Sequence, residues 1–248
     1  MEFKTLTLDN LETEHICCAI TEKKGENCVP SKKAWLRERI GEGLVFRKLD
    51  VRGKVFIEYL PMEAAWIPAA GEGYMYIDCL WVSGKYKGQG YGDQLLSQCI
   101  EDSKAKGKKG LAVLSSKKKM AFLSDPKYLK YKGFRVADQA EPYFELLYLP
   151  FEEGIAAPRF RDCARDGRID EKGWVLYYSN QCPHTEKYAP LIAQMAEAEG
   201  VDFKLVKIES REQAQNAPTP FTTYSMFHDG SFVTNEILSE KKFERMIK

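Results

Sequence analysis

The residue types best suited to chemistry lie in one glycine-rich stretch, which runs from Val82 to Gly92 as VSGKYKGQGYG. Glycine has no Cβ, so its backbone can approach a ligand closely. The first amides of a helix lack partners within the helix, and the helix dipole favours negative charge beside them. If the stretch leads into a helix, it therefore predicts a site for a phosphate or another anion.

Two elements would position this turn. The segment from Tyr74 to Val82 is apolar and aromatic, and it is short enough for a buried strand. After the turn, apolar residues recur at helical spacing, and Gly107 is a natural helix end. These apolar residues are Tyr91, Leu95, Leu96, Cys99 and Ile100. The sequence thus predicts a strand, a glycine-rich turn and a helix in succession.

Two common phosphate-binding motifs do not fit this turn. A P-loop requires Gly-Lys followed by Ser or Thr, and that sequence is absent. A dinucleotide-binding fold requires Gly-x-Gly-x-x-Gly, whereas Gly88, Gly90 and Gly92 follow one another at a spacing of two.

The spacing Lys87-x-x-Gly90-x-Gly92 instead resembles the pyrophosphate loop of the GNAT superfamily of acetyl-CoA-dependent N-acetyltransferases. That loop usually begins with Arg or Gln, and Lys87 keeps the positive charge. The strand ending in Val82, the pair Leu95-Leu96 and the triplet Lys132-Gly133-Phe134 strengthen the resemblance. The alternative is a glycine-rich turn that joins a strand to a helix and binds nothing.

The resemblance implies how acetyl-CoA, the co-substrate, would bind. The strand before the turn would splay from its neighbour, so that the backbone at Leu80 and Val82 pairs with pantetheine. The turn would hold the pyrophosphate. The residues implied in this second role are Lys87, Gly88, Gln89, Gly90, Tyr91 and Gly92. An amine would then attack the thioester directly, while a base takes its proton and an acid protonates the leaving thiolate.

The chain departs from the family pattern at two positions. The usual acid is a Tyr four residues before the Gly-Phe pair, and that position is Leu129. Tyr131 is the preferred substitute and Tyr128 the second, although either is equally an ordinary amphipathic aromatic. The Asn usual after the next strand is replaced by Ser115-Ser116. Lys117–Lys119 follow and would meet the adenosine 3′-phosphate, unless they only form a solvated loop.

The preferred general base is Asp78, because it lies on the strand before the turn and alternates with Leu80 and Val82. Glu58 and Glu63 are rival candidates. For each of the three, a solvated carboxylate on a strand is the competing interpretation.

The first 150 residues have the element order of this family. Strands are predicted at 3–8, 44–49, 54–60, 74–82, 110–115 and 143–149. Helices are predicted at 11–20, from Ser31 to Ile40, after the turn, and from Asp125-Pro126. The predicted fold class is therefore α/β, with a mixed sheet. Residues 1–150 would form a GNAT domain, and residues 151–173, rich in charges, Pro and Gly, a linker.

Residues 174–248 resemble a small thioredoxin-like α/β domain. A strand at Trp174–Ser179 leads to Cys182-Pro183-His184-Thr185, where the active-site motif of that fold begins. Pro190 lies within the following helix, and Thr219-Pro220 precedes a strand where that fold keeps a cis-proline. The second cysteine of the motif is replaced by Thr185, so a dithiol cycle is in doubt. The complete architecture resembles bacterial acetyltransferases with a YoaP-type C-terminal domain, and separate cores are expected for the two units.

Cys182 is a candidate reactive thiol. It would stand at the N-terminal end of a helix, where unpaired amides and the dipole favour the thiolate. Thr185 would donate a hydrogen bond to it. The competing interpretation is a cysteine packed at a helix start.

Composition excludes several classes of protein. Lys and Arg total 37 against 36 for Asp and Glu, so no net charge points to nucleic acid or a membrane surface. No apolar run reaches membrane-spanning length, and residues 1–4 do not begin a signal peptide. Seven cysteines without a Cys-x-x-Cys pair argue against a disulfide framework or zinc ribbon, so we expect a cytoplasmic protein without a metal.

Three functions remain open at this point. The first is acetyl transfer to an amine of a small molecule or a protein. The second is a redox or ligand-sensing protein that binds acyl-CoA and uses Cys182. In the third, the C-terminal unit is structural and shapes the acceptor pocket. The sequence does not set the oligomeric state.

Overall fold

The computed structural model describes residues 2–16, 18–19 and 26–248. A seven-stranded mixed sheet dominates the first 150 residues, with the strand order β1-β2-β3-β5-β6-β8-β7. Its strands are β1 (Phe3–Thr5), β2 (Val45–Leu49), β3 (Val55–Pro61), β5 (Tyr74–Val82), β6 (Gly110–Ser116), β7 (Arg135–Ala140) and β8 (Phe144–Pro150). The β5–β6 pair is parallel and the other pairs in this sheet are antiparallel.

Alternation along β5 divides the core between the two faces of this sheet. Met75 and Ile77 pack on one face, against α2 (Tyr91–Ala105) and α3 (Pro126–Tyr131). Tyr74 and Tyr76 point to the other face, which is covered by α1 (Cys28–Gly41) and by the C-terminal unit. Every apolar position predicted for α2 except the half-buried Ile100 is buried, and the Gly107 that follows has a φ of +68°. The predicted strand, turn and helix are therefore confirmed.

The C-terminal unit contains a four-stranded sheet with the strand order β11-β10-β12-β13. The strands are β10 (Trp174–Tyr178), β11 (Phe203–Lys207), β12 (Tyr224–His228) and β13 (Ser231–Thr234), and the helices are α4 (Thr185–Ala198), α5 (Arg211–Gln215) and α6 (Glu240–Ile247). β10 is parallel to β11 and antiparallel to β12, which is antiparallel to β13. One apolar cluster joins this sheet to α4 and α6.

The segment between the two units is packed rather than extended. A two-residue strand, β9 (Arg159–Phe160), pairs with β4 (Ala69–Ala70), and Phe160 is buried in the core of the first unit. Arg165 makes an ion pair with Asp138 on β7 at 2.8 Å. Residues 151–173 thus connect the two units while packing on the first.

The two units do not have fully separate cores, contrary to the prediction, because one buried apolar cluster contains residues of both. Ile208, Ala214 and Ala217 from the C-terminal unit belong to the same buried cluster as Leu36, Phe46 and other residues of the first unit. Polar bonds cross the junction as well: the Gln215 amide donates to the backbone carbonyls of Glu63 and Ala65, both at 3.1 Å. Because burial continues from one unit to the other, the units stabilise each other.

Three local predictions are wrong. Residues 8–14 form turns rather than the start of a helix, and positions 17 and 20 of the predicted helix lie outside the described residues. α1 begins at Cys28, so Ser31 lies within it and does not cap it. The Thr219–Pro220 peptide bond is trans, because the one cis bond in the described residues precedes Pro142. By contrast, the predicted helix start at Asp125-Pro126 is confirmed: Asp125 is the N-cap of α3, and its carboxylate accepts from the Lys127 amide at 2.9 Å.

Candidate active site

The glycine-rich turn, Gly84 to Gly92, has the geometry of an anion site. Gly90 is the N-cap of α2, with a left-handed φ of +76°, and no side chain caps the helix. The N–H groups of Gly88, Gln89 and Gly90 have no acceptor in the part of the chain that the structure describes. A Cβ at Gly84 or Gly88 would meet no atom within 4 Å, so the turn faces open space. Donors, space and the positive helix end fit a pyrophosphate group.

The surrounding charge also suits a polyanion. Lys85 and Lys87 are exposed, and neither forms an ion pair within residues 2–16, 18–19 and 26–248. Asp93 is the acidic residue in the first turn of α2, and Lys132 pairs with it at 2.8 Å. The negative charge of Asp93 is therefore offset by Lys132.

β5 and β6 separate beside this turn. They pair from Tyr74 to Ile77 of β5, and the pairing ends there, although β5 continues to Val82. β6 also continues to Ser116, paired with β8 on its other side. The backbone of Leu80 and Val82 is therefore unpaired toward β6 and remains bonded to β3. This opening is what the family resemblance implied for pantetheine.

Asp78 lies where the opening begins, and a β-bulge places it there. Glu58 on β3 is opposite Cys79 and Tyr59 is opposite Ile77, so Asp78 is the extra residue on β5. A bulge re-aims side chains and is common beside functional sites. Cys79 packs on the same face as Tyr76, whereas Ile77 and Leu80 pack on the other. The bulge directs Asp78 toward the C-terminal unit.

A buried ion pair lies behind Asp78. Lys32 Nζ is 2.7 Å from Glu58 Oε1, and the two side chains are 0% and 1% exposed. Burial opposes the charge on Lys32, but the Glu58 carboxylate and other negative groups, Asp78 among them, hold the Lys32 pKa above its ordinary value. Burial first, and then the Glu58 charge, raise the pKa of Asp78 to about 7. A carboxylate that titrates near neutral pH is suited to general base catalysis.

Asp78 lines a cavity between the two units, which we call the junction cavity. Its volume is about 20 Å³, which is room for about one water molecule, and it opens to solvent. The first unit contributes Trp66, Tyr76, Asp78, Leu114, Phe122, Leu123 and Ser124. The C-terminal unit contributes Gln181, Pro220, Phe221, Thr222 and Thr223. The arrangement places one carboxylate in a small cavity with both polar and apolar walls, at the end of the opening between β5 and β6.

The two predicted acids do not line the junction cavity. Tyr131 is 82% exposed. The Tyr128 hydroxyl donates to Asp93 at 3.0 Å and lies 3.5 Å from where a Cβ of Gly92 would be, beside the turn. Leu129, at the position usual for the acid, is buried. The tyrosine that shares the cavity with Asp78 is Tyr76, whose pKa is raised by burial.

The other polar residues that the sequence singles out, Glu63, Lys117–Lys119 and Glu58, lie outside the junction cavity. Glu63 accepts from the Gly73 amide at 2.9 Å and pairs with Lys108 at 3.3 Å, so it is a surface residue engaged elsewhere. Lys117–Lys119 are exposed after β6, and Lys119 pairs with Asp125 at 3.0 Å. Glu58 is held by Lys32 and is not open to an acceptor.

The environment of Cys182 is not the one predicted. Burial raises the pKa of its thiol to about 11, outweighing the His184 backbone amide and the positive charge of Lys32, which favour the thiolate. The Thr185 hydroxyl lies 2.6 Å from the Ser179 carbonyl and 2.7 Å from that of Cys182, so it bonds the backbone rather than the thiol. The expected lowering of the pKa is therefore wrong.

Comparisons with known proteins agree with this architecture. A family model described as Acetyltransferase (GNAT) family matches residues 14–122, and one described as YoaP-like matches residues 202–245. The uncharacterized N-acetyltransferase YoaP of Bacillus subtilis is 44% identical over 242 residues, covering 98% of this chain and 96% of the relative. The chain therefore belongs to the GNAT acetyltransferase family, as a member with a YoaP-like C-terminal domain. It is an N-acetyltransferase, and acetyl-CoA is its co-substrate.

Solved structures of N-acetyltransferases resemble part of this chain. The PaiA N-acetyltransferase of Thermoplasma acidophilum in complex with coenzyme A is 17% identical, with a TM-score of 0.40, over 61% of this chain and 100% of that one. An N-acetyltransferase of Staphylococcus aureus is 15% identical, with a TM-score of 0.41, over 61% of this chain and 98% of that one. None of the described helices is long and apolar enough to cross a membrane.

Proposed function

We propose that the protein transfers the acetyl group of acetyl-CoA to a primary amine bound in the junction cavity, with Asp78 as the general base. The observation that best supports this proposal is the bulge in β5, which places Asp78 between the opening of the sheet and this cavity. A donor lying along β5 and an acceptor in the cavity would meet at this residue. Each unit of the chain supplies one side of the acceptor site.

On the donor side, the backbone at Leu80 and Val82 would pair with pantetheine. The turn would hold the pyrophosphate through Lys87 and the backbone of Gly88, Gln89, Gly90, Tyr91 and Gly92. Tyr128, beside Gly92, would contact this end of the donor rather than the thiolate. Lys117–Lys119 would meet the 3′-phosphate.

The reaction needs one group that removes the amine proton and one that stabilises the departing sulfur. Bound acetyl-CoA supplies a thioester that an amine can attack. Asp78 would take the amine proton, which its pKa of about 7 permits at neutral pH. Tyr76, which lines the same cavity and stays protonated because burial raises its pKa, would donate a hydrogen bond to the departing sulfur, and the thiolate would take its proton from solvent. Lys32 and Glu58 would act through Asp78 by setting its electrostatic environment.

The C-terminal unit would be a thioredoxin-like domain, in accord with its strand order and the parallel β10–α4–β11 crossover. We retain residues 1–150 and 174–248 as the two domains and 151–173 as the connection. A redox role is not favoured, because Thr185 replaces the resolving cysteine and the Cys182 pKa is raised. The odd cysteine count supports a reducing, cytoplasmic setting.

The test is the pH dependence of CoA release with an accepted amine. The deprotonated form of Asp78 is the base, so wild-type kcat/KM should rise through an apparent pKa near 7 and then level off. Asp78→Asn should lower kcat by about 10²- to 10⁴-fold and abolish this rise. Tyr76→Phe should lower kcat and keep the apparent pKa. An unchanged profile in Asp78→Asn would refute the assignment of the base.

A further inference from the structure

We propose that Gln181, a residue of the C-terminal unit, orients the attacking amine: its amide oxygen accepts one N–H of the acceptor while Asp78 takes the proton of another. This inference rests on the proposed function, because it takes Asp78 as the base and the junction cavity as the place where the amine reacts. The cavity receives the amino group alone, and the rest of the acceptor stays outside it.

The size of the junction cavity matches one amino group. Its volume of about 20 Å³ is room for about one water molecule, and an amino nitrogen is about as large as a water oxygen. The carbon chain of the acceptor therefore remains on the side where the cavity opens to solvent. A site of this size selects its ligand through the hydrogen bonds of the nitrogen.

Gln181 is a buried polar side chain at this cavity. It lines the cavity together with Asp78 and is 7% exposed. Its amide nitrogen lies 2.8 Å from both the Ser179 and the Thr222 hydroxyl oxygens. Its amide oxygen accepts from no donor in the part of the chain that the structure describes. Because a buried acceptor without a donor is costly, this oxygen is suited to accept from a ligand.

Hydrogen bonding at the junction determines which end of the amide is free. The Thr222 hydroxyl donates its one hydrogen to the backbone carbonyl of Trp66, so it can only accept from Gln181. The group of Gln181 that faces Thr222 is therefore the NH2, and the oxygen is left for the cavity. Since Trp66 belongs to the first unit, contact between the two units sets this orientation.

A neutral primary amine has the two N–H groups that this pair of acceptors can bind. With one N–H on the Asp78 carboxylate and the other on the Gln181 oxygen, its lone pair is left to attack the thioester carbon. The N–C bond forms, the C–S bond breaks, Asp78 holds the removed proton, and the thiolate takes its proton from solvent. No lysine, arginine or histidine among the described residues lines the cavity to compete with the amine.

The experiment compares n-butylamine with N-methylbutylamine, using the full-length enzyme and acetyl-CoA and following thiol release. The second amine has only one N–H group, and its added methyl needs space that a cavity of about 20 Å³ lacks. We expect kcat/KM for n-butylamine to exceed that for N-methylbutylamine by at least about 100-fold, because the second amine leaves the Gln181 oxygen unpaired.

The ratio of these two kcat/KM values also tests variants, because it does not depend on how much of a variant folds. Gln181→Met keeps an unbranched side chain without the amide oxygen and should lower the ratio by at least about 10-fold. Thr222→Val lets the amide turn over and should lower it too. Gln215→Met is the matched control: the Gln215 amide donates across the junction to the Glu63 and Ala65 carbonyls, but it does not line the cavity, so the ratio should stay at the wild-type value.

The outcomes separate this inference from the proposed function. The same ratio in Gln181→Met and Gln215→Met would overturn the role of Gln181, as would a wild-type enzyme that acetylates both amines equally well. Either result leaves Asp78 as the base, which the pH profile of Asp78→Asn tests independently. Absence of transfer to n-butylamine by the wild type would also overturn this inference, because an unhindered primary amine offers both N–H groups.

Discussion

Replacing Lys32 by Met should destabilise the protein strongly. The change keeps an unbranched side chain over Trp35, whose ring centroid is 4.0 Å from Lys32 Nζ, but it removes the charge. Glu58, 1% exposed, then remains as an unpaired buried carboxylate. Breaking a buried pair on one side costs about 3–5 kcal/mol. For a chain of this length, each kcal/mol lowers Tm by roughly 2–4 °C, so Tm should fall by about 6–20 °C.

The same substitution should shift the pH dependence of activity. Lys32 lowers the pKa of Asp78, so its loss raises that pKa above about 7. The base is active when deprotonated, and the rise of kcat/KM should therefore move to higher pH. A residue with a purely structural role would change the amount of folded enzyme without moving this midpoint.

The assay is thermal unfolding at pH 7 together with the pH profile of the folded enzyme. Lys33→Met is the matched control: Lys33 is the next residue of α1 and donates at the surface to the Glu12 carbonyl. It should change stability by less than about 1 kcal/mol. The double variant Lys32→Met, Glu58→Gln should recover much of the loss, because no charge remains buried. Equal stability of Lys32→Met and Lys33→Met would refute the reasoning, as would a double variant no more stable than Lys32→Met.

Two further predictions concern the C-terminal unit. At pH 7–8 Cys182 should react with an alkylating agent more slowly than the exposed Cys163, since burial raises the Cys182 pKa to about 11. Peptide mass mapping measures both rates, and faster labelling of Cys182 would contradict its raised pKa. A fragment ending at Pro150 should aggregate or lose cooperative unfolding, because it exposes the surface covered by Ile208, Ala214 and Ala217. Gel filtration and circular dichroism measure these two properties. A monomeric fragment that unfolds cooperatively would show that the first unit is stable alone.

The sequence predicts the proposed donor side of the site because the determinants of that side are local. The strand from Tyr74 to Val82, the left-handed position at Gly90 and the helix from Tyr91 depend on alternation, helical spacing and glycine within about thirty residues. The base candidate followed from the same strand, since a side chain's face is set by its position in the alternation. The alternation does not predict the bulge at Asp78, because the bulge depends on how β5 pairs with β3.

The proposed acceptor side is not predictable in this way. Lys32 is a helical lysine with no local feature that distinguishes it from Lys33, and only the packing of α1 over Glu58 makes it buried. Phe221 and Thr222 line the cavity together with Trp66, more than 150 residues earlier, and the Thr222 hydroxyl donates to the Trp66 carbonyl. The raised Cys182 pKa has the same origin: helix position predicts a lowered value, and burial at the junction reverses it. Residues 11–16, the described start of the helix predicted at 11–20, are not helical, so the tertiary fold overrides a plausible local pattern there.

The measurement that tests the donor site most directly is calorimetric titration of acetyl-CoA into wild type, Gly90→Glu and Gly107→Glu. Both glycines have a left-handed φ, +76° and +68°, and they flank opposite ends of α2, with no atom closer than 4.0 Å to the added Cβ. The strain and the added charge are thus matched, and only Gly90 lies in the turn. We predict that Gly90→Glu weakens binding at least about 100-fold through like-charge repulsion, while Gly107→Glu binds as wild type. Equal affinity of the two variants would contradict the assignment of the turn as the pyrophosphate site.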